Sequence, residues 1–252
     1  MTDGRIAIVT GASSGIGRAV TSHFVRRGMR VVAAGRNAAQ LGKLVDDLAG
    51  EPGAVLPVRG DMTRPGYAVE LLAAADQRWG APSIFVASAG RGLPGTVLGS
   101  DPARWAEMVN ANYLAVLCQM RSSAERFVAS AKQDGGRQAR DIVVIGSTAG
   151  RQVSAANPVY GSTKFALHSL VEALRQEICA YGIRVSLIEP GFVRSGFQEA
   201  AGYDMEWFER VAEEYGPLLT PDDVAETVAF VVERPWHVHL DDIRLRPTRQ
   251  NS

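Results

Sequence analysis

The chain has 252 residues, with 27 Lys and Arg against 27 Asp and Glu, so its formal net charge is zero. That balance offers no electrostatic handle for nucleic acid or an anionic membrane surface, and no apolar run approaches the roughly 18 residues of a membrane span, so neither partner is expected. With 46% hydrophobic and 21% charged residues, the length suits one α/β domain with a sizeable core.

Met1-Thr2-Asp3-Gly4-Arg5 leads directly into the apolar, β-branched run Ile6–Val9, the first expected strand, with no signal peptide ahead of it. Thr10-Gly11-Ala12-Ser13-Ser14-Gly15-Ile16-Gly17 follows, then an amphipathic helix to about Arg27 with Gly28 as its C-terminal glycine. Val31–Ala34 is a second strand, ending at Gly35-Arg36-Asn37, and Leu41, Leu44, Val45 and Leu48 have helical spacing. Val55–Val58 is a third strand, running into Gly60-Asp61-Met62, and Tyr67, Leu71, Leu72 and Ala75 mark a helix that stops near Gly80. Ile84–Val86 is the fourth strand, broken by Ala87-Ser88-Ala89-Gly90. A loop rich in Gly and Pro reaches Ser100, and Ser100 or Asp101 is placed to cap one long helix from Pro102 to about Ala131. Lys132–Arg140 reads as an exposed loop, Ile142–Ile145 as strand five, Pro158–Tyr181 as a helix and Ile183–Ile188 as strand six, broken by Pro190-Gly191. The mixed aromatic and acidic stretch 192–216 is expected to be partly helical. Pro221–Glu233 is a last helix and Ile243–Leu245 a last strand.

Strands alternating with helices over the whole length predict a Rossmann-type α/β fold: a doubly wound parallel sheet with helices on both faces. No linker or composition break divides residues 1–252, so one domain is expected. Cys118 and Cys179 lie in helical segments and are expected to be reduced, mostly buried thiols, which fits the cytoplasm.

The glycines at 11, 15 and 17 stand between a strand and a helix, where a nucleotide pyrophosphate can approach bare backbone and a helix N-terminus. Their spacing is G-x-x-x-G-x-G rather than G-x-G-x-x-G. A carboxylate at the end of strand two would bind the ribose 2′-hydroxyl of NAD. Here Gly35 is followed by Arg36, whose guanidinium suits the 2′-phosphate of NADP.

Tyr160 and Lys164 are four residues apart and share one helix face, so the ammonium is expected to lower the phenol pKa and fit it for proton exchange with an alcohol or carbonyl. With this pair the chain resembles the short-chain dehydrogenase/reductase family in its form of about 250 residues. Thr10–Gly17 resembles T-G-x-x-x-G-x-G, and Tyr160 and Lys164 resemble Y-x-x-x-K. Ser147 lies thirteen residues before Tyr160, Asn112 lies in Asn110-Ala111-Asn112-Tyr113, and Pro190–Ser195 resembles P-G-x-V-x-T with Ser for Thr.

The resemblance implies a catalytic tetrad of Asn112, Ser147, Tyr160 and Lys164. Tyr160 would be the general acid or base, and Lys164 would tune it and hold the nicotinamide ribose. Ser147 would bond the substrate oxygen, and Asn112 would hold a water in a proton relay. The implied cofactor-binding set is Gly11, Ala12, Ser13, Ser14, Gly15, Ile16 and Gly17; Arg36 and Asn37; Asp61 and Met62; Ser88, Ala89 and Gly90; Tyr160 and Lys164; and Pro190, Gly191, Val193 and Ser195. The implied cofactor is NADP(H), and the implied substrate is a small-molecule carbonyl or alcohol.

Two departures stand out. The family's N-N-A-G after strand four is Ala87-Ser88-Ala89-Gly90 here, which puts local bracing of the sheet in doubt. The usual C-terminal D-G-G strand is replaced by His237–Gln250. That ending, with Ile145–Gly150 and Val159-Tyr160-Gly161, resembles the NADP-dependent serine and 3-hydroxy acid dehydrogenases. The substrate is then a small hydroxy acid or aldehyde, or a bulkier ketone. In the lid stretch 192–216, Arg194 and Arg210 alone offer themselves as carboxylate clamps. The alternatives are a carrier-protein β-ketoacyl reductase and an NADPH-binding regulator without catalysis. His237 and His239 are read as surface histidines, and no metal site is expected. By the same resemblance the helices 102–131 and 158–181 pair across a dimer axis, in a homo-oligomer.

Overall fold

The computed structural model describes residues 4–251, so the expected start without a leader, which concerns residues 1–3, lies outside the described residues. The expected strands are β1 (Ile6–Thr10), β2 (Arg30–Gly35), β3 (Ala54–Arg59), β4 (Ile84–Ala87), β5 (Arg140–Ile145), β6 (Ile183–Pro190) and β7 (Asp242–Leu245). They form one sheet in the order β3-β2-β1-β4-β5-β6-β7, every neighbouring pair parallel. β1, β4, β5 and β6 are buried along their whole length, because helices cover both faces. This is the doubly wound Rossmann architecture read from the sequence.

α1 (Gly15–Arg26), α2 (Ala38–Asp47) and α9 (Pro221–Val232) cover one face, where Val20, Phe24, Leu41, Leu44, Val224 and Val228 join a single core. α3 (Tyr67–Arg78), α5 (Ala115–Asp134) and α6 (Pro158–Ile178) cover the other with Leu71, Met120, Phe127 and Leu167. The strand order reverses between β2-β1 and β1-β4. A doubly wound sheet opens a crevice at such a point, beyond the carboxyl ends of its strands. The amino end is closed instead: the buried Asp141 carboxylate takes Arg184 at 2.7 and 2.9 Å and Arg5 at 2.7 Å.

The expected single helix 102–131 is a composite. Asp101, not Ser100, caps a 3-10 turn (Pro102–Arg104) by accepting from Ala103 N at 2.9 Å, while Ser100 Oγ accepts from the Trp105 indole at 3.0 Å. α4 (Trp105–Val109) follows, then a π-turn (Asn110–Leu114), then α5. The helix also runs three residues further than expected, to Asp134, where Gly135 ends it in the left-handed region. α6 ends at Ile178, and Cys179–Tyr181 is a 3-10 turn. The stretch 192–216 contains α7 (Phe197–Ala201) and α8 (Met205–Tyr215). Cys118 and Cys179 are free, but both are exposed rather than buried, Cys179 in the 3-10 turn beyond α6. No helix of the described residues is long and apolar enough to cross a membrane.

Candidate active site

β1 delivers the glycine loop to the crevice. Gly17 is required by close approach, since a Cβ there would collide with the Gly11 carbonyl. The first turn of α1, Gly15-Ile16-Gly17-Arg18, carries no acidic residue, and Ser14 at its N-cap makes no side-chain cap bond. The N–H groups and dipole of this helix end therefore remain available to an anion. Gly11, Ser13, Ser14, Gly15, Ile16 and Gly17 all line a cleft of about 1080 Å³. Ala12 does not: it is fully buried, and its N–H donates to Ala34 O at 2.9 Å, tying the loop to β2.

At the end of β2, Arg36 is exposed on the cleft wall, beside Gly35 and Ser13. Asn37 is turned away and caps α2, its Oδ1 accepting from Gln40 N at 3.1 Å. Asp61 and Met62 line the cleft as expected. Hydrogen bonds from the Thr63 N–H and hydroxyl, at 2.9 and 2.7 Å, hold the Asp61 carboxyl below its ordinary range, and Arg36 adds to this. Ser88, Ala89 and Gly90 line the opposite wall. The segment after β4 is tied to β1 through Thr10. Its hydroxyl donates to Gln119 Oε1 at 2.9 Å and accepts from Ser88 N at 3.2 Å. Among the described residues Ser88 Oγ is buried without a hydrogen-bond partner. An acid-free helix end, a wall cation and an orphaned hydroxyl along one cleft fit a phosphorylated dinucleotide.

The inner end of the cleft brings together Ser147, Tyr160 and Lys164, while the expected fourth member, Asn112, is buried behind the cleft wall and does not line it. Pro158 opens α6, and Tyr160 and Lys164 stack on its buried face, 9% and 7% exposed. Ser147 follows β5 and caps a 3-10 turn, its Oγ accepting from Ala149 N at 3.1 Å. Burial pushes the Tyr160 phenol well above its ordinary value, a hydrogen bond with Ser147 opposes this, and the nearby Tyr203 phenol reinforces it. Burial likewise holds Lys164 down to about 8. The expected lowering of Tyr160 by Lys164 is absent from this arrangement. Lys164 Nζ donates to Ile145 O at 3.0 Å and lies 5.8 Å from the centre of the phenol ring. Asn112 is carried inward by the π-turn. Its amide accepts from Arg91 N and donates to Arg91 O, both at 2.8 Å, and reaches Thr163 Oγ1 at 3.3 Å. It thus pins the segment after β4 to α6. π-turns recur at functional sites because the extra residue re-aims one side chain.

Pro190, Gly191, Val193 and Ser195 all line the cleft after β6. Val193 bridges to Leu219, and Arg194 N donates to Leu219 O at 2.7 Å, so the two ends of the lid stretch lie side by side. Phe192, Phe197, Tyr203 and Trp207 face the cleft, whereas Phe208 is buried under α8. The Phe197 ring lies 6.0 Å from Tyr160, and Tyr203 stacks on Trp207 at 6.1 Å. Arg210 lines the cleft with the Asp204 carboxylate 3.9 Å away, and Arg194 is paired with Glu209 at 2.9 and 3.0 Å. The sequence reading missed Arg104, which also reaches the cleft, and Asn157, which bonds the Tyr203 phenol. It missed Gln250 as well. Oε1 of that residue accepts from Phe192 N at 3.0 Å. Asn157 had a signal, as the residue before the helix-opening Pro158; Arg104 and Gln250 reach the site only through the fold. His239 is half-buried rather than a surface histidine, with Nε2 3.0 Å from Val185 O.

Comparison with known proteins agrees with this fold. The family described as short chain dehydrogenase matches residues 5–206. The chain is 34% identical over 253 residues to dehydrogenase/reductase SDR family member 11 of Bos taurus, covering 98% of this chain and 97% of that one. Among solved structures, the closed form of serine dehydrogenase complexed with NADP+ superposes with a TM-score of 0.86 at 29% identity, covering 98% and 96% of the two chains. The 3-ketoacyl-(acyl-carrier-protein) reductase of Brucella melitensis complexed with NADH gives 0.86 at 25% identity, covering 99% of each.

Proposed function

The chain belongs to the short-chain dehydrogenase/reductase family, and from that premise we propose that it is an NADP(H)-dependent oxidoreductase interconverting a carbonyl and an alcohol. The observation that carries this reading is a buried phenol beside Ser147 at the inner end of a cleft whose outer end is an acid-free helix N-terminus. The cofactor, when bound, supplies or accepts the hydride. Gly11, Ser13 and the first turn of α1 would hold its pyrophosphate, Arg36 its 2′-phosphate, and Asp61 and Met62 its adenine. Pro190, Gly191, Val193 and Ser195 would flank its carboxamide.

The protein's part is proton traffic and polarisation. Ser147 Oγ donates to the substrate oxygen, which draws charge onto that oxygen. Tyr160 Oη delivers its proton there during reduction and takes it back during oxidation. Lys164 would hold the nicotinamide ribose, and Asn112 keeps the π-turn and α6 in register. The aromatic wall of Phe192, Phe197, Tyr203 and Trp207 suits a substrate with an apolar body, and Arg104 and Arg210 suit an acidic group on a small one.

A panel of aldehydes, ketones, hydroxy acids and alcohols, run with NADPH and NADH in both directions, tests the reading. Tyr160→Phe is expected to keep NADPH affinity and lose turnover by about 10²- to 10⁴-fold. Unchanged turnover sinks the mechanism, and a preference for NADH sinks the role of Arg36. Tight NADPH binding with no turnover on any substrate would favour a regulator.

A further inference from the structure

Behind the tetrad lies a second cluster of charged side chains that the chemistry above does not use. Glu189 is fully buried, directly before Pro190-Gly191. Arg151 Nε donates to its two carboxylate oxygens at 3.1 and 2.9 Å. His168 Nε2 lies 2.5 Å from Glu189 Oε1, and the Arg151 guanidinium also pairs with Asp242. The ligating atoms of His168, Glu189 and Asp242 fall within 4.8 Å of one another, the spacing of a cation cage, but Arg151 already supplies the positive charge there.

The position of each partner in the chain is informative. Arg151 is the residue after the 3-10 turn that Ser147 caps. His168 is one helical turn beyond Lys164 on α6, and a Cβ at Gly150 would fall 2.8 Å from Lys164 O and 3.2 Å from His168 Nε2. Asp242 opens β7, which pairs with β6 through Glu189↔Arg244. One buried carboxylate therefore touches the Ser147 turn and the Tyr160 helix while belonging itself to the strand that ends in the nicotinamide loop. A buried ion pair is a weak source of stability, since desolvation offsets most of its attraction. Its stronger effect is to fix geometry, and burial that holds His168 below its ordinary value leaves that ring neutral and in place near neutral pH, with Glu189, Arg151 and Arg244 as the charges around it.

We propose that Glu189, through Arg151 and His168, is a positioning residue that sets Ser147, Tyr160 and the Pro190-Gly191 loop in mutual register. The proposal rests on the oxidoreductase reading above for its kinetic consequences, though not for its structural ones.

Glu189→Gln keeps the shape and removes the charge. It is expected to leave NADPH affinity within about threefold and KM within about threefold, while kcat falls about 10- to 100-fold, the cost of misaligned reacting groups. The double variant Glu189→Gln/Arg151→Met is expected to be no slower than the slower single variant, since residues acting as a unit are not additive. Wild-type kcat in Glu189→Gln, or multiplicative losses in the double variant, overturns the proposal. A fall in melting temperature with kcat unchanged in the folded protein overturns it too, by assigning the cluster to stability alone.

Hydrogen–deuterium exchange on NADPH-loaded protein gives an arm independent of turnover. Segments 146–151, 160–168 and 190–193 are expected to lose protection together in Glu189→Gln. Loss confined to β6 overturns the proposal. A wild-type protein that turns over no carbonyl defeats the functional reading instead, and the exchange result then decides the register role by itself.

Discussion

Burial and charge are at odds at Lys164. The side chain is 7% exposed and its pKa is held down to about 8, against about 10.5 for a free lysine, so the folded protein gives up the Lys164 proton more readily than the unfolded chain. Below pH 8 both states carry the proton, and the cost of burying the charge is at its full value. Between about 8 and 10.5 the unfolded chain binds more protons than the folded one, so the stability contributed at this site rises with pH. A tenfold change in proton affinity corresponds to about 1.4 kcal/mol, so the gain over the window is at most about 3.5 kcal/mol. Lys164→Met removes this contribution and leaves the other titrating groups unchanged. The unfolding free energy of wild type minus that of Lys164→Met, from urea titrations of cofactor-free protein at pH 7, 8, 9 and 10, is expected to climb from pH 8 upward. A flat difference would mean that burial does not hold the ammonium down.

The residue scale is also where the sequence was most informative. Tyr160, Lys164, Ser147 and the glycine loop are chemically unusual residues at fixed, short spacings, and each comes to the cleft. The misses have a physical pattern. Ala12 and Asn37 lie inside the right motifs, but their groups are consumed by backbone bonds to Ala34 and Gln40. Arg104 and Gln250 come from segments far along the chain, and nothing in their own neighbourhoods marks them.

At the scale of elements, apolar runs located the central strands because a parallel sheet covered on both faces demands continuous burial there, while the edge strands β3 and β7, only partly buried, were marked by shorter β-branched runs. It did not reveal the π-turn at Asn110–Leu114, because helical periodicity is insensitive to a single extra residue. It also could not show how the tail after β7 folds back. Gly191 N donates to Leu245 O at 2.8 Å, Phe192 N to Gln250 Oε1 at 3.0 Å, and Tyr215 Oη to Asn251 Oδ1 at 3.3 Å. The Gln250 amide packs directly over Gly191, so a Cβ there would displace it. Phe192 stacks on Tyr215 at 5.9 Å and meets Trp207 edge-on at 6.1 Å, so the tail grips the first residue of the lid and the last turn of α8 together. Gln250→Ala removes one of these bonds, worth about 1 kcal/mol, and is expected to lower kcat/KM about fivefold through KM. Deleting residues 250–252 is expected to act in the same direction and more strongly. Steady-state kinetics on the best substrate of the panel measure both, and an unchanged KM in the deletion would separate the tail from the lid.

The whole molecule has a net charge of zero and an apolar face that its own core leaves uncovered. Helix α5 turns Val116, Met120, Ala124 and Phe127 to the sheet, while Leu114 and Leu117, three residues apart, point the other way and are 47% and 37% exposed. Val109 on α4 and Phe165 on the neighbouring α6 extend that face, and Cys118 lies on it, which accounts for a thiol expected inside being found outside. Absence of net charge removes the long-range repulsion that keeps like molecules apart. A two-fold contact would present the same residues from both copies, and a stable interface of about 1,200–2,000 Å² needs such a contiguous apolar centre. The protein is therefore expected to be a homo-oligomer, a dimer or a tetramer, at micromolar concentration by light scattering. The double variant Leu114→Glu/Leu117→Glu is expected to run as a smaller species, because four buried carboxylates at one axis cannot all be paired. Cys118 is expected to react with a thiol reagent slowly in the wild type and at least about tenfold faster in that variant, as local opening rather than assembly comes to limit access. A monomeric wild type with a fast-reacting Cys118 would leave the face a surface feature with no part in assembly.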